Sequence, residues 1–133
     1  SKLFKELREK KGYAYATYAF YPTRLFSPRA FAYIGTSPDK KNMALDDLLK
    51  VVRNSELTEE DLNLAKSKEI GDFMLDHQTR LRQAWYLGFY ELMGFGWKMD
   101  EEYPTRIQEV SLEDIQRLQK EYFKNHHCVV VEP

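Results

Sequence analysis

The sequence predicts an α+β domain whose leading strands lie outside the chain, and three observations carry that reading. Residues 13–21 and 30–36 alternate as strands, and apolar residues recur at helical spacing from 37 to 122. The chain then closes on Cys128-Val129-Val130-Val131, a continuous apolar run that reads as a buried strand. Three strands are few for so many helices, and a buried strand needs partners on its edges.

The opening helix spans residues 1–11, with Leu3, Phe4 and Leu7 on one side and Lys2, Lys5 and Glu9 elsewhere. Gly12 follows Lys10 and Lys11, where a helix end favours a residue free to take positive φ. Only Ser1 precedes this helix as a cap, so the chain starts at the edge of an element and reads as one partial domain, residues 1–133. In the first strand Tyr13, Tyr15, Thr17, Ala19 and Tyr21 share one face, and Ala14, Ala16, Tyr18 and Phe20 the other. Pro22 closes it, and a linker of about eight residues through Ser27-Pro28 suits an antiparallel hairpin.

Ser37-Pro38 starts a helix that runs to Asn54 and buries Ala44, Leu45, Leu48, Leu49 and Val52. Thr58 with Asp61 makes a capping box for a longer helix, whose stripe is Leu62, Ala65, Ile70, Phe73 and Met74. It breaks near His77–Arg80 and continues through Leu81, Trp85, Tyr86, Phe89 and Leu92 to Gly94. A short helix near Tyr103–Gln108 follows the Gly94–Gly96 break. Ser111 with Asp114 caps a last helix carrying Ile115, Leu118 and Tyr122.

Composition narrows the function. The 133 residues carry 20 Lys+Arg against 21 Asp+Glu, a net −1, so nucleic acid is not the expected partner. That balance is uneven: residues 1–35 carry +5, beside a cluster of five aromatics between Tyr13 and Tyr21. Such a face suits contact, and equally suits a half-buried tyrosine-rich strand. No apolar run reaches the roughly 18 residues that cross a bilayer. The single cysteine, Cys128, excludes an internal disulfide. It fits a reducing compartment such as the cytoplasm better than secretion, with the periplasm left open.

Catalytic motifs are missing. Neither H-E-x-x-H nor H-x-x-E-H occurs; His77, His126 and His127 have no ligand spacing and read as structural. There is no G-x-S-x-G elbow and no phosphate loop; Cys128 would be buried and inert. Glu59-Glu60, Asp46-Asp47 and Glu101-Glu102 read as polar faces and helix starts.

One constellation remains, Arg8 and Tyr15. Helix rise puts Arg8 about 6 Å before Gly12, and the strand carries Tyr15 about 10 Å beyond it. If the strand doubles back, the two differ by about 4 Å along the axis, within reach of long side chains. A guanidinium beside a phenol suits a peptide carbonyl, a carboxylate or a forming oxyanion. On spacing alone, a surface ion pair and a packed strand tyrosine carry more weight.

The segment Leu3-Phe4-Lys5-Glu6-Leu7-Arg8-Glu9-Lys10-Lys11-Gly12-Tyr13-Ala14-Tyr15 resembles the L-F-x-x-L-R-E-K-x-G-x-x-Y segment of the insulinase/pitrilysin zinc metallopeptidase family. The likeness is to the second, zinc-free domain. It continues through Tyr33-Ile34-Gly35-Thr36-Ser37-Pro38, Leu57-Thr58-Glu59-Glu60-Asp61-Leu62 and Ala84-Trp85-Tyr86-Leu87. Further on come Tyr90-Glu91-Leu92-Met93-Gly94 and Val110-Ser111-Leu112-Glu113-Asp114-Ile115.

That resemblance implies a two-layer arrangement, an antiparallel or mixed sheet with helices on one face. It implies two homologous domains facing each other across a chamber, with the zinc on the other one. Arg8 and Tyr15 match the family's substrate-contacting pair in spacing and context, which reverses the preference that spacing gave. Arg8 would bind the peptide backbone; Tyr15 would hydrogen-bond the scissile carbonyl region and support the tetrahedral intermediate. The implied partners are a peptide substrate and a homologous zinc-bearing domain or subunit. No cofactor is expected in this chain, which alone would be inactive. The respiratory-complex core proteins are similar too, so a non-catalytic assembly subunit is the alternative. Family domains are longer than this chain, a departure in keeping with absent leading strands.

Overall fold

The computed structural model describes residues 2–22 and 26–132. The Ser1 cap and the middle of the hairpin linker, residues 23–25, lie outside them. The chain divides into two compact units, Ser1–Glu56 with Leu118–Pro133, and Leu57–Arg117.

In the first unit the opening residues form a π-helical segment, Phe4–Lys10, followed by strands β1 (Ala16–Phe20) and β2 (Phe31–Gly35). A 3-10 turn at Pro38–Lys40 leads into helix α1, Lys41–Asn54. The strands pair antiparallel, Ala16 with Gly35 through Phe20 with Phe31. Leu3, Leu7, Ala14 and Leu48 form the core, with Ile34, Val51 and Val52 packed against them. The opening segment therefore buries Leu3 and Leu7 but leaves Phe4 at the surface. On α1, Ala44 and Leu48 are buried; Leu45, Leu49 and Val52 are only half-buried, and Asp47 takes the third buried position.

The opposite face of the hairpin is aromatic. Tyr18 stacks on Tyr33 at 4.9 Å and Phe20 on Phe31 at 5.0 Å, the cross-strand pairing expected of directly opposed residues. All four rings are exposed.

Residues 128–131 do not form the expected buried strand. Val129 and Val131 are 86% and 89% exposed, and Cys128 is exposed as well. The sheet among the described residues has two strands, so this apolar run finds no ladder to complete its backbone hydrogen bonds. The residues just before it are held instead by Arg53 of α1. Its Nε donates to the Phe123 carbonyl at 2.9 Å and its Nη2 to the Lys124 carbonyl at 2.8 Å.

The second unit holds helices α2 (Glu59–Asp76), α3 (Arg80–Leu92) and α4 (Met99–Glu109), and α5 (Leu112–Tyr122) begins there. The Thr58 capping box is present: Thr58 Oγ1 accepts from Asp61 N–H, and Asp61 Oδ2 accepts from Thr58 N–H. Ser111 and Asp114 make the same reciprocal bonds. The break after α2 falls at residues 77–79, and Gly94 and Gly96 turn the chain after α3 with φ of +79° and +78°.

The inner faces differ from the sequence expectation. On α2 the inward positions are Leu62, Lys66, Ile70 and Phe73, with His77 just past its end; Ala65 and Met74 face solvent. On α3, Tyr86, Phe89 and Tyr90 turn inward while Leu81, Trp85 and Leu92 are exposed. The physical reason is an aromatic cluster about Phe73, whose ring lies 3.8 Å from His77 and 4.9 Å from Tyr103 of α4. Helix α4 starts at Met99, earlier than expected, because Asp100, Glu101 and Glu102 complement its first turn even with Pro104 inside. On α5, Leu118 and Tyr122 are exposed.

Candidate functional site

The corner between the opening segment and β1 is built from local rules. Leu3 and Leu7 anchor one side of the segment in the core, which turns Arg8 outward. Gly12 takes φ +68°, a conformation that costs a side-chain-bearing residue about 1 kcal/mol or more, and its N–H donates to the Arg8 carbonyl at 3.1 Å. The chain then runs back, so that β1 lies against the opening segment. Tyr13 and Ala14 are buried, and Tyr15 emerges 71% exposed.

Hydrogen bonds fix each step of this path. The Thr36 hydroxyl donates to the Tyr13 carbonyl at 2.8 Å, and the Tyr15 N–H donates to the Gly35 carbonyl at 2.8 Å. Asp47, reaching in from α1, accepts from the Tyr13 hydroxyl and, at 2.6 Å, from the Lys11 ammonium. Lys50 stands 3.8 Å from its other oxygen. Asp47 is 7% exposed, a buried carboxylate whose partners make its burial tolerable.

The electrostatics follow from that arrangement. The Lys11 bond, aided by the Tyr13 hydroxyl, holds the Asp47 carboxyl below the usual carboxylate range. Burial pushes the Tyr13 phenol well above its ordinary value, and the hydrogen bond to Asp47 adds to the rise.

Arg8 and Tyr15 thus flank one corner, and their side chains are both open to solvent. The Arg8 guanidinium lies over the Phe4 ring, 5.0 Å from its centroid. Among the described residues no hydrogen bond or ring contact joins Arg8 to Tyr15; they stand on either side of the turn without being a bonded pair. Guanidinium and phenol groups in such a place offer several directed donors to an incoming carbonyl or carboxylate.

Sequence reasoning placed Tyr13 with Tyr15 on one strand face and Asp47 among the polar residues of α1. The structure buries Tyr13, exposes Tyr15 and sets Asp47 beneath the corner. One signal was available: Asp47 lies three residues after Ala44 and four before Val51, within the helical spacing of the buried stripe.

The remaining polar candidates serve packing. His77 Nδ1 is 2.7 Å from the Phe73 carbonyl and Nε2 is 2.8 Å from Asp100, inside the aromatic cluster. His126 Nδ1 is 2.8 Å from the Arg53 guanidinium. Among the described residues no group of three or more His, Cys, Asp or Glu side chains is placed to hold a metal ion.

The comparisons bear on this same region. The family model "Peptidase M16 inactive domain" matches residues 1–69, which include the whole corner and α1. No curated protein sequence matches the chain. The fold resembles a crystal structure provisionally named a zinc protease from Bordetella pertussis Tohama I, with a TM-score of 0.72 and 21% identity. That match covers 92% of this chain and 69% of that one. A protease from Helicobacter pylori gives a TM-score of 0.71 at 22% identity, over 93% of this chain and 30% of that one. This chain therefore spans under a third of the second structure's length.

Proposed function

The chain belongs to the peptidase M16 family, matching its inactive C-terminal domain, and we propose that it is the substrate-contact half of a zinc metalloendopeptidase. The observation that carries this reading is the placement of Arg8 and Tyr15. They lie seven residues apart in the matched region, on one hydrogen-bonded corner, with both side chains open to solvent. In this reading the zinc and the hydrolytic water belong to a homologous domain or subunit.

In this reading Arg8 holds the peptide backbone, its guanidinium resting over the Phe4 ring. The Tyr15 hydroxyl donates to the scissile carbonyl oxygen and bonds it more strongly as negative charge develops there. Tyr15 is therefore the catalytic residue of this chain, and Arg8 and Tyr15 together are its substrate-binding pair.

The test is peptide hydrolysis by the complete enzyme carrying Tyr15→Phe or Arg8→Ala. Loss of a single oxyanion donor predicts a fall in kcat of about a hundredfold for Tyr15→Phe. Arg8→Ala is expected to act mainly through a higher KM. Zinc content stays that of the wild type in each. Wild-type turnover in both variants would retire the assignment.

A further inference from the structure

We propose that Asp47 is a positioning residue, a buried anchor on α1 that sets the direction of Tyr15. The proposal rests on the substrate-contact reading of Tyr15.

Between Arg8 and Tyr15 the chain has few loose points. Gly12 N–H ties back to Arg8, Ala14 sits in the core, Thr36 holds the Tyr13 carbonyl and Gly35 holds the Tyr15 N–H. The two residues that flank Gly12, Lys11 and Tyr13, converge on a single oxygen, Asp47 Oδ2. Asp47 belongs to α1, the helix that carries the core residue Leu48 and packs against both β2 and the opening segment. The carboxylate thus fastens the turn to a helix that is seated in the core of its unit. Motion is removed from the backbone while the two outward side chains remain available for a ligand.

Such an arrangement suits chemistry better than it suits stability. A buried carboxylate with two donors is replaceable by apolar packing at little net cost, so stability alone gives weak grounds for one. A substrate-contacting phenol, by contrast, must be held within about 0.5 Å of its productive place, and loosening of its support is felt in turnover.

Tyr13→Phe keeps the ring that fills the core and removes only the hydroxyl. Asp47→Ala removes the anchor altogether. In the complete enzyme, kcat is expected to fall about tenfold for Asp47→Ala and about threefold for Tyr13→Phe, with KM changed by less than about twofold. Introduced on a Tyr15→Phe background, either change is expected to cost nothing further, because the group it positions is already gone. Hydrogen exchange read by mass spectrometry supplies the structural readout. Amides of residues 12–15 exchange faster in both variants, while those of α3 keep their wild-type protection. If Asp47→Ala does not fold, Tyr13→Phe decides by itself.

Full additivity with Tyr15→Phe, or unchanged exchange at residues 12–15, would overturn the role of Asp47 while leaving Tyr15 as a substrate contact. Wild-type turnover in Tyr15→Phe would instead remove the reading beneath it, and this role for Asp47 with it.

Discussion

Tyr13 and Asp47 show how one hydrogen bond couples the two ends of the pH scale. Asp47 is held ionised in the fold by Lys11 and Tyr13, so its contribution is present above the unfolded carboxylate pKa of about 4. It is lost as pH falls through the depressed folded value. Tyr13 has the opposite sign: its raised folded value makes its contribution complete below the unfolded phenol pKa of about 10. That contribution is lost as pH climbs above 10. Thermal melts from pH 2 to 11 are therefore expected to decline at both ends. Tyr13→Phe should flatten the alkaline decline, and an alkaline limb identical to the wild type would contradict the assignment. This pair was hard to read in advance. Strand alternation assigns Tyr13 and Tyr15 to one face, but β1 begins only at Ala16, and the turn at Gly12 frees Tyr13 from that alternation.

Helices and their ends were the most readable elements, because caps act over three or four residues. Thr58 with Asp61 and Ser111 with Asp114 form the bonds their spacing implies. Thr58→Ala removes one side of the first box and is expected to cost about 1 kcal/mol in a urea titration. No change in the unfolding midpoint would mean that the cap is idle. The stripes within the helices were less readable. Periodicity marks an apolar face, yet which residues turn inward depends on partners, and His77, Tyr86 and Tyr103 gather about Phe73 in preference to the leucines of α3. Arg53 is another case that spacing cannot disclose, since its acceptors lie about seventy residues away. Arg53→Ala should release residues 119–126, visible as faster proteolysis there; unchanged digestion would show that Gln119 and the Lys41–Glu132 ion pair suffice.

The fold class was legible from the count of strands and helices, and the terminal strand was not. A run such as Val129-Val130-Val131 carries β-propensity, but a strand exists only where a ladder receives it. Exposed valines there, with the four stacked rings on the hairpin, give the chain a large apolar surface. The chain alone is expected to bind a hydrophobic dye strongly, and weak binding would show that these surfaces cover one another in solution. The family match and the corner geometry join at residues 1–69, where the resemblance of the L-F-K-E-L-R-E-K-K-G segment meets a built turn.

Photo-crosslinking reaches the central claim most directly. With benzoylphenylalanine in place of Tyr15 in the complete protein, and a metal chelator added to keep a bound peptide intact, irradiation should join the peptide to position 15. The same group in place of the exposed Tyr122 should give no product. Equal labelling at the two positions, or none at position 15, would contradict the account.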